Sequence, residues 1–222
     1  MQCDKKNRER RCAALHTMYG INIDSEDTIM YYQMARATQG NWPRVFISPS
    51  VQEFNPFITG ENEEYWMNQI ADAMIPYLQA SNISFGRNNP NETLSQAIAA
   101  SNAGGYDFHL AIHSNASPPS MPGAFRGPNV YYYTTSAEGR RMADIIAENF
   151  RAIYPDPDLV ITVPSTTLAE LRRTVAPSNL VEVAYHDNWE DATWIINNIQ
   201  PIARALVLSL TQFFGIPFVE PQ

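Results

Sequence analysis

The sequence predicts an α/β fold: a twisted, mostly parallel central sheet with helices on both faces. Three observations carry that expectation. Short apolar runs alternate with longer stretches of helical period along most of the chain. The run 107–112 bears few charges and ends on His113, after which Ser114, Asn115 and Ala116 break the pattern. That reads as a buried strand delivering an imidazole to its carboxyl end, where open α/β sheets hold their sites. Finally, 222 residues with a 45% hydrophobic share suffice for one sizeable core.

Residues 1–40 read as an N-terminal helical appendage and 41–222 as the domain proper. In the appendage the stretch from Lys5 to Arg11 is mostly basic, which reads as a solvated helix face, the alternative being an anchor to an anionic wall or membrane. Ile29, Tyr32, Met34 and Ala35 suggest a short amphipathic helix over 24–37. Cys3 and Cys12 have no metal-ligand spacing and define no disulfide framework. The domain opens with a strand at 44–47, closed by Ser48-Pro49-Ser50, and a loop rich in Asn, Pro and Gly runs to Gly60. A helix is expected over 63–80, with Trp66, Ile70, Ala73, Met74 and Tyr77 on one side. A strand follows at 83–85, a turn at 88–92, and a helix at 93–102 stopped by Gly104-Gly105.

Past His113, Pro118, Pro119, Pro122 and Gly123 mark a loop, and three consecutive tyrosines mark a strand at 129–134. A helix is expected over 137–153, then a long irregular stretch containing Pro155, Pro157 and Pro164. The last strand is 179–184. Asn188, followed by Glu190 and Asp191, has the signature of a helix N-cap with acidic first-turn residues. A final helix covers 199–214, and no internal repeat is visible.

The formal net charge of −8 argues against a nucleic-acid groove, which needs clustered Lys and Arg. No apolar run approaches the roughly 20 residues a membrane span requires, so no span is expected.

Three polar groups stand where pattern alone does not put them. His113 ends a buried strand. Glu182 lies inside the apolar run Leu180-Val181-Glu182-Val183-Ala184, and Glu64 opens a helix directly after an irregular loop. A strand carboxylate flanked by valines must be paired, protonated or metal-bound, because an isolated buried charge costs several kcal/mol. Each has a bland reading too. Glu182 can pair with Arg172 or Arg173, Glu64 can be a solvated first-turn residue, and His113 a structural histidine.

These segments resemble the zinc-dependent N-acetylmuramoyl-L-alanine amidases of the family-3 type, which cut the lactyl–L-alanine amide of bacterial peptidoglycan. Ala111-Ile112-His113-Ser114-Asn115-Ala116 is similar to that family's Ser-Ile-His-Ala-Asn-Ala segment, whose histidine binds zinc. Glu64-Tyr65-Trp66-Met67-Asn68 resembles its Glu-Lys-Asp-Leu-Asn helix start, where the glutamate is a ligand. The stretch 168–174 resembles its Leu-x-x-Leu-Arg-x-Thr segment, and Leu180-Val181-Glu182-Val183 its Val-Glu strand, which carries the catalytic acid/base. The four segments fall in the family's order between about Val45 and Phe218.

One family position differs. The family's first strand ends in Asp-Pro-Gly-His, whose histidine is the first ligand, whereas here Ser48-Pro49-Ser50-Val51-Gln52 stands. Gln52 can offer an amide oxygen after a one-residue slip, and Glu53 is a second stand-in giving a more oxygen-rich site; zinc prefers imidazole, thiolate or carboxylate. His109 lies four residues before His113, roughly 13 Å away along a strand, too far to share one ion. It is expected to be a core or edge residue. His186, just past the strand bearing Glu182, is a candidate ligand or substrate contact.

The resemblance implies one zinc ion held by His113, Glu64 and a group near Gln52, with Glu182 as acid/base and Arg172 steadying it or binding a substrate carboxylate. Asn115 and His186 are the expected substrate contacts, and residues 117–127 and 155–164 the walls of a groove for peptidoglycan or muropeptides. A monomer acting extracellularly or at the cell wall is expected. The alternative is an amidase-like module that binds wall fragments with weak or no hydrolysis, motivated by the missing histidine.

Overall fold

The computed structural model of the protein describes residues 42–222. The expected appendage at 1–40, with Cys3, Cys12, His16 and the amphipathic stretch, lies outside the described residues. Among the described residues six strands and six α-helices follow in order. They are β1 (Arg44–Pro49), α1 (Glu63–Ala80), β2 (Ser84–Arg87), α2 (Leu94–Gly104), β3 (Phe108–Asn115), β4 (Asn129–Tyr133), α3 (Ala137–Arg151), β5 (Ile161–Ser165), α4 (Ala169–Arg173), β6 (Ser178–Tyr185), α5 (Trp189–Asn197) and α6 (Ile199–Phe214). The strands form one sheet in the order β2-β1-β3-β6-β4-β5. Every pairing is parallel except β4 with β6, so the sheet is mixed but mostly parallel, as the strand–helix alternation implied.

Alternation along β3 divides the molecule into two layers. Phe108, Leu110 and Ile112 enter the large core with Met67, Ile70 and Met74 of α1, Met142, Ile146 and Phe150 of α3, and Leu206 and Leu210 of α6. Each such side chain withdrawn from water contributes about 1.5–3 kcal/mol. Ala111 faces the opposite way, into a small cluster with Leu171 of α4 and Leu180 of β6. His109 and His113 share that second face by the period of two. The smaller layer is thus where polar groups collect.

Two elements differ from expectation. The prolines of 155–164 predict an irregular stretch. Instead a 3-10 turn at Pro157–Leu159 leads into β5, whose Pro164 is accommodated because β5 pairs on one side only, with β4. The tyrosine-rich β4 runs against β6, since the loop after β3 carries the chain past β6 before it turns back. No helix among the described residues is long and apolar enough to cross a membrane.

The start of α5 pins the loop between β3 and β4. Asn188 caps α5, its side chain accepting from the N–H groups of Glu190 and Asp191. The Asp187 carboxylate accepts from the N–H of Ser117 at 3.1 Å and of Gly123 at 2.8 Å. Asp191 is fully buried; it accepts from Gly127 N–H at 2.8 Å, Tyr185 N–H at 3.0 Å and the Tyr154 hydroxyl at 2.5 Å. Gly127 has φ +97° and would bring a Cβ to within 2.6 Å of Leu159, so the loop ends where only glycine fits. Asp191 is therefore a buried acceptor hub rather than a solvated first-turn acid. Replacing it with alanine strands three donors, and Asp191→Ala is expected to lower the unfolding free energy by roughly 3 kcal/mol in urea titrations.

Candidate metal centre and acid/base site

The site is built where β1, β3 and β6 end beside the start of α1 and above α4. His113 and Glu182 are register partners across the parallel β3–β6 pair, so their side chains leave the same side of the sheet. Nδ1 of His113 lies 2.9 Å from Oε1 of Glu63, and Nε2 lies 3.1 Å from Oε2 of Glu170. The Gln52 amide stands 3.2 Å from the same Nδ1. Asn55 joins the two sides of that cluster, donating to Oε1 of Gln52 at 3.2 Å and to Oε2 of Glu63 at 2.7 Å.

The acid that reaches His113 from α1 is Glu63, not Glu64. Glu63 heads the stripe Met67, Ile70 and Met74, all buried, at positions i, i+4, i+7 and i+11. It is 1% exposed, and the Ser114 N–H also donates to its Oε1, at 3.3 Å. Glu64, one residue further round, instead lines a shallow polar depression with Asn68, Asp72 and Arg87. The helix is aimed by the preceding turn, in which Gly60 and Glu61 both have left-handed φ and Asn62 caps the helix by accepting from Tyr65 N–H.

The other candidates are dispersed. Arg172 is exposed, and among the described residues neither Arg172 nor Arg173 forms an ion pair with Glu182. Glu53 is exposed as well. The His186 ring stacks on Phe57 with centroids 5.5 Å apart, and its Nδ1 donates to the Ser114 carbonyl at 3.1 Å. The stacking fastens the loop after β1, and the hydrogen bond the end of β3, to the residue that follows β6. Asn115 is half-buried, its Oδ1 accepting from Ala116 N–H at 2.9 Å.

Sequence reasoning missed Glu170. Oε1 of Glu170 accepts from the Ser48 hydroxyl at 2.5 Å and lies 3.1 Å from Nε2 of His109, while Oε2 faces His113. His109 is core, as expected, but it is tied to His113 through this carboxylate. The signal was present: an acid at 170, three residues before the end of an amphipathic turn, next to a buried leucine and opposite two same-face histidines.

Electrostatics separate the three carboxylates. Burial pushes the Glu182 carboxyl up, the His113 charge opposes this, and Glu63 and Glu170 reinforce it, leaving it at about 7. Its Oε2 is buried without a hydrogen-bond partner among the described residues. Burial also works against ionised Glu63 and Glu170, yet hydrogen bonds from His113, and from His109 for Glu170, reverse the effect and hold both below the usual carboxylate range. For His113 burial disfavours the cation. Its hydrogen bonds to Glu170 and Glu63 and the nearby negative charges outweigh that and raise its pKa well above the ordinary value. The site thus contains two firm anions, one cation and one acid poised near neutrality.

Among the described residues no three His, Cys, Asp or Glu side chains surround a single point closely enough to hold a metal ion. What converges at Nδ1 of His113 is one imidazole, the Glu63 carboxylate and the Gln52 amide. The imidazole nitrogen and the carboxylate oxygen are donors that suit a divalent cation, whereas Gln52 turns its NH₂ toward Nδ1 and its oxygen toward Asn55, and would offer that oxygen to an ion only after the amide rotates. An amide in third place makes the set more oxygen-rich and weaker for zinc than one with a second imidazole.

Residues 53–212 match the family model described as N-acetylmuramoyl-L-alanine amidase. No curated protein matches the chain in sequence. Among solved structures, the amidase of Clostridium difficile 630 is similar at TM-score 0.71 and 17% identity, covering 79% of this chain and 98% of that one. AmiC2 of Nostoc punctiforme matches at TM-score 0.68 and 18% identity, over 78% and 97%. The catalytic domain of CwlV from Bacillus (Paenibacillus) polymyxa matches at 0.67 and 17%, over 79% and 99%. These identities show a shared fold, and the family match spans well over half the sequence. The chain belongs to the Amidase_3 family, the N-acetylmuramoyl-L-alanine amidases.

Proposed function

We propose that the protein is a peptidoglycan hydrolase that cleaves the amide between N-acetylmuramic acid and the L-alanine of the stem peptide, at the cell wall. The observation that carries this reading is the register pairing of His113 with Glu182, whose carboxyl sits at about 7 with one buried oxygen unpartnered. A group with that proton affinity can take a proton from water and return it at neutral pH.

His113, Glu63 and Gln52 are the residues that would hold the divalent cation the family implies. When bound, such an ion supplies Lewis-acid polarisation of the scissile carbonyl and acidifies a water. Glu182 accepts the water proton on its carboxylate and delivers it to the leaving L-alanine nitrogen. Glu63 and Glu170 remain ionised throughout and hold the His113 ring from both sides. The loop at 117–127, pinned by Asp187 and Asp191, supplies one wall for the wall polymer. A second reading is favoured by one observation, the Gln52 amide where the family has an imidazole: a module that binds wall fragments with little turnover.

Stem-peptide release from purified sacculi by the full chain tests the reading. Release that is abolished by a chelator, restored by Zn²⁺ or Mn²⁺, and lowered about 100-fold or more in Glu182→Gln is expected for the hydrolase. Binding to sacculi without release would leave the binding module. Metal analysis distinguishes the two α1 acids: Glu63→Gln is expected to lose the ion and Glu64→Gln to retain it.

The Glu182 pKa also makes a prediction for chelator-treated protein. Folding raises this pKa from 4.5 to about 7, so the folded state holds the proton more tightly than the unfolded state. Below about pH 4.5 both states are protonated; between there and about pH 7 only the unfolded chain releases the proton, and stability falls as pH rises. Glu182→Gln removes that loss. It is expected to match the wild type in acid and to exceed it by on the order of 2 kcal/mol above pH 7, allowing for partial solvent access, as read from denaturant titrations at several pH values.

A further inference from the structure

Glu170 presents a problem that stability does not solve. It is 2% exposed on the face where Ala111, Leu171 and Leu180 pack, and a leucine or valine there would extend that cluster. Burying a carboxylate costs several kcal/mol before pairing, and apolar replacements of buried ionic groups are often neutral or stabilising. What Glu170 does have is a full set of donors with a fixed geometry. Ser48 O–H and His109 approach Oε1, and His113 approaches Oε2. His109 is itself fixed: its Nδ1 lies 2.9 Å from the Ser101 hydroxyl, and its ring stacks on Phe46 with centroids 5.5 Å apart. The carboxylate is therefore anchored on one oxygen by β1 and by the buried start of β3, and its second oxygen is aimed at a single atom, Nε2 of His113.

We propose that Glu170 is a positioning residue that holds the Nε2–H and the ring orientation of His113, so that, once Nδ1 gives up its proton, its lone pair is presented beside Glu63 to a divalent cation. The inference rests on the reading of His113 as a metal ligand. A ligating imidazole needs its other nitrogen protonated and held, most often by a carboxylate, and losing that partner typically costs 10–100-fold in metal affinity. The Ser48–His109 anchor gives Glu170 what an exposed carboxylate lacks, a position independent of the ion. Glutamine cannot take over this role. The side-chain amide in Glu170→Gln has one oxygen for two imidazole N–H groups, and its NH₂ must face the other ring, favouring a nitrogen without a proton there.

The test is Zn²⁺ binding to the full chain by calorimetry, with long-range ¹H–¹⁵N spectra of the histidine rings at fixed pH. For the Zn²⁺-loaded wild type, His113 is expected to show a protonated Nε2 and a metal-bound Nδ1. Glu170→Gln is expected to bind Zn²⁺ roughly 10–100-fold more weakly and to shift His113 away from that tautomer. Ser48→Ala, which loosens the anchor without touching His113, is expected to weaken binding by a smaller factor, about threefold or more on the same basis, and covers the case of an unfolded Glu170→Gln. Unchanged affinity and an unchanged His113 spectrum in either folded variant would overturn the positioning role alone. A folded wild type that takes up no Zn²⁺ would overturn the metal-ligand reading, and the positioning role with it.

Discussion

The His113 ring gripped between two carboxylates is the interaction on which the arrangement of the site depends. Glu63 arrives from the first turn of α1 and Glu170 from the first turn of α4, so the contact joins elements from opposite layers across the end of β3. Each acid alone would be a buried charge costing several kcal/mol. Together with the imidazole they form a row in which every member lowers the cost of its neighbour, and the row is extended by Asn55 at one end and by Ser48, His109 and Ser101 at the other. Glu182 stands beside this row and receives no hydrogen bond from it. That exclusion leaves the carboxyl of Glu182 with a proton affinity set by burial and neighbouring charge rather than by hydrogen bonds.

The sheet explains why these residues meet. Parallel pairing of β3 with β6 sets His113 against Glu182, and parallel pairing of β1 with β3 brings the end of β1, with Ser48 and the Gln52 loop, to the same rim. The antiparallel β4 lies beyond β6, with Tyr131 near Glu182; burial and the Glu182 charge both raise its phenol. The candidate site thus lies where the parallel core of a mixed sheet stops, the place where open α/β folds hold ligands.

Much of this was legible in the chain. Element types and the bounds of α1 and α6 follow from periodicity, and the strand ending on His113 and the acid inside β6 stand out because polar groups interrupt apolar runs. Three features were not. Likeness to the family's helix start names Glu64 and passes over Glu63, whereas helix phase brings Glu63 to His113: Met67, Ile70 and Met74 share a face with Glu63, and a single residue turns a helix by about 100°. β5 was hidden because Pro164 argues against a central strand and nothing local announces an edge. Glu170 does not stand out in the chain, because its partners His109 and His113 lie some sixty residues earlier and the acid's place on a short amphipathic turn is a weak signal without them.

On the proposed reading of His113 as a ligand, proton and cation are alternative partners for its Nδ1, and this links the glutamine at position 52 to the rest of the site. A cation binds only if Nδ1 gives up its proton, so its apparent affinity must rise with pH until His113 releases that proton unaided. Glu63 and Glu170 raise the proton affinity of the ring, which strengthens the competitor. A second imidazole at the Gln52 position would offset that competition with a strong nitrogen donor; an amide oxygen offsets it less. The balance therefore shifts to the geometry of the remaining donors. A ring already turned and held by Glu170, and a Glu63 already fixed by Asn55 and Ser114, need little reorganisation on binding. Preorganisation of two strong donors is how this chain can compensate for a weak third.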